Sequence, residues 1–406
     1  MAAANSIAQL TEYTKRVYGK MTDQLADQNI IYKAFKKEVD MKPVEGVVLY
    51  KAAEYSRHTG IGARPEGGQI PVPGRRKAKQ YSITLKNLYA TTSFTGQVFE
   101  QMDTDKAAFA KTVSHQIETL KKDWLKDFNR QIWGKGTGAL CLTNGAGVGT
   151  ATLVLKTPYF GSYPTQFLYE GQRIDIWTTE STGGSNSVVG VEILSVDSET
   201  QVTLVSTQTW ADNSFVFLEL NRNNEITGIQ SMVDDGTFKD NYFGITRSTN
   251  RFWKSLVLKN GGTPRAITES LVLDALSKIG KEDGVNLLCT NFELFNALAK
   301  TQLSIKRYNL DMGGKVGAIP AGYDGLNISN KMLYADQDCP NGVLFGMNTK
   351  YMSLISTGEP KFMDKAGSIY QIATDNTDGY KVGMFWYGEA VCDRPNTQFV
   401  LGDLTV

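Results

Sequence analysis

Histidine is scarce in this chain of 406 residues, which contains only His58 and His115. Because histidine is the commonest acid–base residue and a frequent metal ligand, its scarcity leaves few options for a hydrolytic or zinc-dependent site. The four cysteines lie far apart and form no CxxC pair. That spacing argues against zinc ligation and is typical of free thiols in a reducing cytoplasm. We therefore predict no metal site and no bound cofactor.

An excess of positive charge is also lacking, since the net charge is +1 at pH 7. Proteins whose main task is to hold nucleic acid usually carry a clear basic excess, because their affinity comes from neutralised phosphates. No apolar run approaches the roughly 18 residues that span a membrane. Met1 to Leu10 has neither a basic start nor a long apolar stretch, so we expect no signal peptide. The remaining composition, 41% hydrophobic and 21% charged, is ordinary for a globular protein with a substantial core.

The first half of the chain begins with a polar arm and a long loop. Residues 1–46 carry scattered apolar side chains at helical spacing, and we interpret them as an arm that packs on another element. Residues 47–96 contain two strands, and on the return Tyr81, Ile83 and Leu85 alternate with polar residues. The polar stretch between the strands is too long for a compact domain. We predict an extended loop that becomes ordered on a neighbouring subunit, with a disordered surface loop as the alternative.

The extended loop carries many cations and few acids. In a chain that is nearly neutral, this local excess favours contact with an acidic patch on an adjacent subunit, although a merely solvated run of charge is the alternative. The cations that we expect at the subunit contact are Arg57, Arg64, Arg75, Arg76, Lys77 and Lys79.

A helix over Asp103–Trp133 is the most strongly predicted element. Its apolar residues recur every three or four positions and form one stripe, and its length of about 45 Å suits a helix that crosses a plate-like subunit. Asp103–Asp105 supplies candidate N-cap residues. We interpret the basic residues around the stripe, including Lys121 and Arg130, as a solvated face, with weak contact to nucleic acid as the alternative. The stripe consists of Val113, Ile117, Leu120, Trp124, Phe128 and Ile132.

Six glycines between residues 134 and 149 do not form a phosphate-binding loop, because a helix precedes them and strands follow. A dinucleotide-binding loop needs the opposite order. We interpret these glycines as a flexible junction between domains. Residues 139–222 then show several short strands separated by turn residues, typical of a small sandwich or barrel. The expected strands are 152–155, 173–177, 188–196, 201–205 and 215–220.

From Thr263 onward the pattern changes to alternating helices and strands. An amphipathic helix precedes a buried strand at Val285–Cys289, and Asn291 is placed to cap a second helix. The carboxylate pairs Asp234–Asp235 and Glu282–Asp283 are the best candidates for acid–base chemistry. Both pairs precede a glycine in turn-like stretches, where aspartate is common for backbone reasons, and we therefore predict no enzymatic activity.

In this order, the segments resemble the major capsid proteins of tailed phages, which have the Hong Kong ninety-seven-type capsid fold. The resemblance covers most of the chain and implies an α+β fold with an N-terminal arm, an extended loop, a peripheral domain built on a long spine helix, and an axial domain. A small all-β domain is inserted into this plan. The short stretches that carry the resemblance are Asn129–Gly134, Tyr242–Arg247, Trp253 and Tyr387–Asn396. The implied boundaries are 1–46 for the arm, 47–96 for the extended loop, 97–138 for the peripheral domain with the spine helix, 139–222 for the inserted domain, 223–262 for the peripheral return, 263–385 for the axial domain and 386–406 for the closing peripheral strand.

The resemblance also implies what the protein does. It implies a structural subunit that assembles with its own copies into pentamers and hexamers of an icosahedral shell around double-stranded DNA. The implied partners are a portal protein, a separate scaffolding protein, an optional decoration protein and packaged DNA in weak, non-specific contact. No contact with a membrane is expected, and the implied location is the virion capsid after assembly in the host cytoplasm. Two alternatives remain open: an encapsulin-type bacterial nanocompartment shell protein, and a structural protein of a phage tail or adhesion device.

Overall fold

A computed structural model describes most of the chain. The predicted arm lies almost entirely outside the described residues, and so do Asp103–Asp105 and Glu282–Asp283. The described residues are 31, 34–38, 48–95, 106–279, 284–309, 326–329, 331–364, 369–372 and 379–405.

The first described strands confirm the predicted hairpin. Strands β2 and β3 pair antiparallel from Val48 opposite Thr84 to Glu54 opposite Ala78. After Leu85 the chain continues as β4, which belongs to a different sheet. These first strands are β1 (Lys36–Glu38), β2 (Val48–Glu54), β3 (Ala78–Thr84) and β4 (Lys86–Thr95).

The predicted long helix is confirmed as α1, which covers Lys106–Trp133. Its 28 residues correspond to a rod of about 42 Å. In its C-terminal half the apolar stripe faces the core, where Trp124 stacks on Phe128 with ring centroids 5.3 Å apart. The side chain of Val113 lies outside the described residues. Along the rest of the stripe Leu120 is half-buried, and the buried members are Ile117, Trp124, Phe128 and Ile132.

The interpretation of the basic residues of α1 as a solvated face is wrong at two positions. Lys121 and Arg130 are each only 1% exposed. Lys121 comes four residues after Ile117 and seven before Phe128, so it lies on the apolar stripe itself. Arg130 lies on another side of the helix, which is enclosed because the end of α1 is surrounded by the rest of the protein.

Residues 139–218 form a closed barrel of six antiparallel strands in the order β10-β5-β6-β9-β8-β7. Aliphatic side chains such as Leu153, Ile176, Val202 and Val216 fill its interior and are fully buried. The five predicted strands are confirmed here, three with wider limits and the last with a narrower one, whereas β5 was not predicted. The strands are β5 (Ala139–Thr143), β6 (Gly147–Lys156), β7 (Arg173–Trp177), β8 (Asn186–Ser198), β9 (Gln201–Trp210) and β10 (Phe215–Leu218).

The glycines at the entrance to the barrel mark a close crossing of two chain segments, which corrects the expected flexible junction. Gly136 and Gly138 have φ values of +74° and +83°, a region that favours glycine. A Cβ atom on Gly138 would lie 2.8 Å from the carbonyl oxygen of Asn221, which belongs to the segment that leaves the barrel. The two connections to the barrel are therefore packed against each other.

The described remainder of the chain provides strands for two six-stranded sheets and for two separate pairs of strands, together with three α-helices. The elements up to residue 309 are α2 (Ile229–Met232), β11 (Asn241–Tyr242), β12 (Ile245–Thr246), β13 (Leu256–Leu258), β14 (Arg265–Ala266), α3 (Glu269–Lys278), β15 (Leu287–Thr290) and α4 (Phe292–Asn309). The later strands are β16 (Leu326–Ile328), β17 (Lys331–Ala335), β18 (Leu344–Met347), β19 (Met352–Ser356), β20 (Lys361–Phe362), β21 (Tyr370–Ile372), β22 (Gly379–Cys392), β23 (Phe399–Leu401) and β24 (Leu404–Thr405).

Strand pairing in these two sheets does not follow the order of the chain. The first sheet has the path β1-β19-β22-β20, and β4 and β21 also pair with β22. The second has the order β13-β23-β18-β15-β17-β16, and α3 and α4 pack on it around a separate apolar cluster. As predicted, the Asn291 side chain caps α4 by accepting the N–H of Leu294 at 3.1 Å. Strand β22 runs unbroken across the expected boundary between residues 385 and 386, so this boundary falls inside a strand and not between two elements.

Candidate assembly surfaces

The base of the extended hairpin is fixed to the body of the subunit. Leu49, Tyr81 and Ile83 are buried there. The Tyr81 hydroxyl donates to a carboxylate oxygen of Asp393 at 2.6 Å, and the ring centroids of Tyr81 and Trp253 are 5.1 Å apart. Burial and the neighbouring carboxylate raise the pKa of Tyr81, so the hydroxyl remains a hydrogen-bond donor. The hairpin therefore leaves the subunit in a defined direction.

The outer edge of β3 is also attached to the body. The backbone N–H of Ser82 donates to the carbonyl oxygen of Phe243 at 3.0 Å, in the tight turn between β11 and β12. Lys79 Nζ donates to Asn250 Oδ1 at 2.7 Å. One side of the hairpin is thus covered by the body of the same subunit.

Beyond its base, the loop from Tyr55 to Lys77 runs out and back with few contacts of its own. The N–H of Lys77 donates to Ser56 Oγ at 2.6 Å, and His58 Nδ1 lies 2.7 Å from the carbonyl oxygen of Gly74. Large apolar side chains on this loop have little to pack against within the subunit. Those that are more than four-fifths exposed are Ile61, Ile70 and Val72.

The structure divides the six predicted contact cations into two groups, although all six are exposed. Arg76 pairs with Glu54 at 2.7 Å, Lys79 bonds to the body as described above, and Arg64 donates to a carbonyl oxygen of its own loop at 3.0 Å. The side chains of the second group make no hydrogen bond or ion pair among the described residues. This group comprises Arg57, Arg75 and Lys77.

A buried ion pair joins α1 to the segment that leaves the barrel. Arg130 donates to Glu225 at 2.6 Å and to Asp127 at 2.8 Å, and the Arg130 and Glu225 side chains are 1% and 2% exposed. Burial raises the pKa of Glu225, an effect that Arg130 opposes. Because Glu225 follows the last barrel strand, this pair fastens the barrel to the helix.

A second buried carboxylate holds the same returning segment against β22. Glu389 is 1% exposed and accepts the N–H groups of Thr227 at 2.5 Å and Ala390 at 3.0 Å. Burial raises the pKa of Glu389 to about 7, although Lys86 and Lys239 act in the opposite direction. This group therefore changes charge near neutral pH.

The carboxylates of Asp234 and Asp235 accept hydrogen bonds from the backbone of a turn. Arg247 is fully buried and donates to the carbonyl oxygens of Ser231 and Met232 at 2.8 and 2.9 Å. Asp234 lies 3.4 Å from the Arg247 guanidinium, and Asp235 accepts the backbone N–H of Thr237 at 3.0 Å. These are the contacts of a folded turn rather than of an acid–base pair.

The cysteines are buried and unpaired in the structure. Burial raises the pKa of Cys392 to about 12, so this thiol stays protonated at neutral pH. Within the described ranges, no group of three potential ligand side chains could hold a metal ion. Nor is any helix in the described part of the chain long and apolar enough to cross a membrane.

Sequence comparison finds no matching family model and no matching curated protein. Comparison of folds does find similar structures. The chain superposes on a chain of the cyanophage A-1(L) capsid with a TM-score of 0.56 and 12% identity, over 96% of this chain and 94% of that one. This chain has the fold of a phage capsid protein.

Weaker matches to the capsid fold are found in two further particles. The capsid of a native GTA particle gives a TM-score of 0.46 with 9% identity, over 91% of this chain and 88% of that one. An encapsulin from Synechococcus elongatus gives 0.41 with 7% identity, over 91% and 85% of the two chains. The match to the cyanophage chain confirms a capsid-protein fold with mixed helix and strand content. The division into arm, peripheral, inserted and axial domains stays a prediction.

Within this capsid fold, the sequence-predicted residues lie in two separate regions. The six cations lie on the exposed hairpin and its loop, whereas the described part of the apolar stripe of α1 faces the core. The buried charges of Arg130, Arg247 and Glu389 were not predicted, because a charged residue carries no sign of burial in its local sequence. Only Lys121 could have been recognised, from its position on the apolar stripe.

Proposed function

We propose that this chain is the major capsid protein of a tailed phage, a structural subunit without a catalytic role. Its copies assemble into pentamers and hexamers of an icosahedral shell that encloses double-stranded DNA. The observation that carries the proposal is the fold shared with the cyanophage A-1(L) capsid chain over 96% of this chain.

The hairpin supports assembly with other copies, because its exposed side chains have few contacts within one subunit. Its loop exposes Ile61, Ile70 and Val72, together with three cations whose side chains make no hydrogen bond or ion pair among the described residues. A segment with so few internal contacts gains little stability within one subunit. On an adjacent copy it would bury its apolar side chains and pair its charges. Each exposed ion pair contributes only about 0–1 kcal/mol, but a closed symmetric shell repeats every contact many times.

The partners follow from the role of a container. We propose a portal protein, a separate scaffolding protein and an optional decoration protein, with the virion capsid as the final location and the host cytoplasm as the site of assembly. A net charge of +1 suits a shell whose wall contacts packaged DNA only weakly and non-specifically.

Electron microscopy of the purified full-length chain tests this function. We expect closed icosahedral particles, or rings with five-fold and six-fold symmetry, when the protein is concentrated either by itself or together with a scaffolding protein. Small particles that enclose protein cargo would favour an encapsulin-type compartment, and open tubes or fibres would favour a tail component. A sharp monomer peak under all assembly conditions, with no particles in an infected lysate, would exclude a shell function.

A further inference from the structure

A groove of about 870 Å³ lies beside the base of the hairpin. One wall is the end of β2 and the residues that follow it, from Ala52 to Arg57. The other wall contains Phe252, Tyr351 and Arg394. The groove is therefore bounded by the hairpin on one side and by the body of the subunit on the other.

Strand β2, whose last residues line the groove, has a free edge. Strand β2 pairs only with β3 among the described residues. The N–H of Tyr55 donates to the carbonyl oxygen of Lys77, so residues 55, 53, 51 and 49 direct their backbone groups toward β3. Because hydrogen-bonded and non-hydrogen-bonded positions alternate in antiparallel pairs, Tyr50, Ala52 and Glu54 direct theirs outward.

A contact on the opposite edge of the hairpin supports this assignment. Ser82 lies opposite Tyr50 in the register, and its N–H donates away from β2 to the carbonyl oxygen of Phe243. The two residues of a non-hydrogen-bonded pair both point outward, so the Tyr50 N–H also points outward, on the uncovered side. Within the described residues, the outward N–H groups of Tyr50, Ala52 and Glu54 have no backbone acceptor.

The groove has apolar and aromatic walls as well as a free edge. Tyr55 stacks on Phe252 with ring centroids 4.5 Å apart, yet remains 41% exposed. On the facing wall, the Arg394 guanidinium lies 4.9 Å from the ring centroid of Tyr351 and donates to its hydroxyl at 2.9 Å. These preformed stacks would contact the side chains of an added strand at little cost in conformational entropy.

The charge in the groove favours an acidic occupant. Its two carboxylates are already engaged, since Glu54 pairs with Arg76 at 2.7 Å and Asp393 accepts the Tyr81 hydroxyl at 2.6 Å. Arg57 has no carboxylate within ion-pair distance among the described residues. A carboxylate on the occupant would supply the missing partner.

We propose that the groove receives an extended, acid-bearing segment of a second copy of this chain, which adds a third strand to the free edge of β2. The added strand bonds to the outward groups of Tyr50, Ala52 and Glu54 and places a carboxylate against Arg57. Strand addition of this kind derives its affinity from backbone hydrogen bonds and its selectivity from alternate side chains. The inference rests on the proposed shell function, because a shell brings another copy to every free edge.

A matched pair of proline variants tests the edge. Ala52→Pro removes an outward N–H from β2, and Gln80→Pro removes the outward N–H of the residue directly opposite, on β3. Neither change removes a hydrogen bond between β2 and β3. We expect Ala52→Pro to raise the concentration needed for assembly by at least about tenfold and Gln80→Pro by less than about twofold. Equal assembly of both variants and the unmodified chain would overturn the proposal.

Hydrogen exchange on the unmodified full-length chain provides a readout that does not depend on a variant that folds. In peptides covering residues 48–56, the amides of Tyr50, Ala52 and Glu54 should exchange slowly in assembled particles and rapidly in free subunits. Equal exchange in the two states would overturn the strand addition while leaving the shell function intact. Protection that requires a different protein would also overturn it, because the occupant would not be a second copy.

The charge component is tested separately. Arg57→Glu should weaken assembly and Arg57→Lys should largely preserve it, and the unmodified protein should assemble less well as added salt screens the pair. Assembly of Arg57→Glu equal to that of the unmodified chain would exclude the proposed carboxylate. If the unmodified chain forms no oligomer at all, the shell function fails and the inference fails with it.

Discussion

Replacing Glu389 by glutamine should change how the stability of the subunit depends on pH. The side chain keeps its shape and can still accept the N–H of Thr227, but it can no longer be charged. In the unmodified protein the carboxylate is 1% exposed, and no ion pair with Lys86 or Lys239 is formed among the described residues. Burial therefore penalises the charged form, which is the reason that the pKa is raised to about 7.

The size and sign of the effect follow from this pKa. A rise from the ordinary value of 4.5 to about 7 corresponds to about 3 kcal/mol. Below the unfolded-state pKa the carboxyl group is protonated in both states, so no penalty exists. As the pH rises, the unfolded state loses its proton first, and the free energy of unfolding falls until the folded-state group is also charged. The penalty of Glu389 thus develops between about pH 4.5 and pH 7.

Denaturant unfolding of unassembled subunits measures this difference. Between about pH 5 and pH 8, the free energy of unfolding of Glu389→Gln should rise relative to that of the unmodified protein by up to about 3 kcal/mol. Other titrating groups cancel in the comparison, and the exposed Glu359→Gln is the matched control. Parallel pH profiles for the unmodified protein and Glu389→Gln would refute the reasoning, because Glu389 would then have the same pKa in the folded and unfolded states.

Three further outcomes are expected. Arg130→Met should lower the free energy of unfolding by about 3–5 kcal/mol, because it leaves the Glu225 carboxylate buried without its cation. The double variant Arg130→Met and Glu225→Leu should recover most of this loss. A loss below about 1 kcal/mol in Arg130→Met would contradict the buried pair. Reversing the three cations at residues 75–77 to glutamate should leave the circular dichroism spectrum intact and abolish assembly, whereas normal particles that are insensitive to salt would exclude a contact through the loop. Residues 139–222 expressed alone should give dispersed amide signals by NMR, since the barrel closes on itself, and a disordered spectrum would show that it depends on the body.

Local pattern was enough to predict most of the elements. The interval of three to four residues in the apolar stripe of α1 predicts a helix, and alternation predicts the return strand of the hairpin and most strands of the barrel. These patterns depend only on which side of an element is apolar, so neighbouring residues suffice. The stop of α1 at Trp133 before Gly134 and the cap at Asn291 were also readable from the sequence.

The pairing of strands was decided by the tertiary structure. Strand β22 brings together β4 and β19, which are separated by more than 250 residues of chain, and it crosses the boundary expected at residue 385. Hydrogen bonds between distant segments leave no trace in the local sequence. Strands β13 and β23 likewise pair with each other although about 140 residues of chain separate them.

The sequence by itself determined the exposed, cation-rich hairpin, the long helix and five of the six barrel strands, because each depends on composition and periodicity over a short stretch. Only the tertiary structure decided which charges are buried and paired. Arg130 and Glu225 lie 95 positions apart in the chain. Glu389 accepts a hydrogen bond from Thr227, which is 162 positions away. Their pairing and the raised pKa of Glu389 arise from the exclusion of water around them, which is a property of the packed chain and not of any segment.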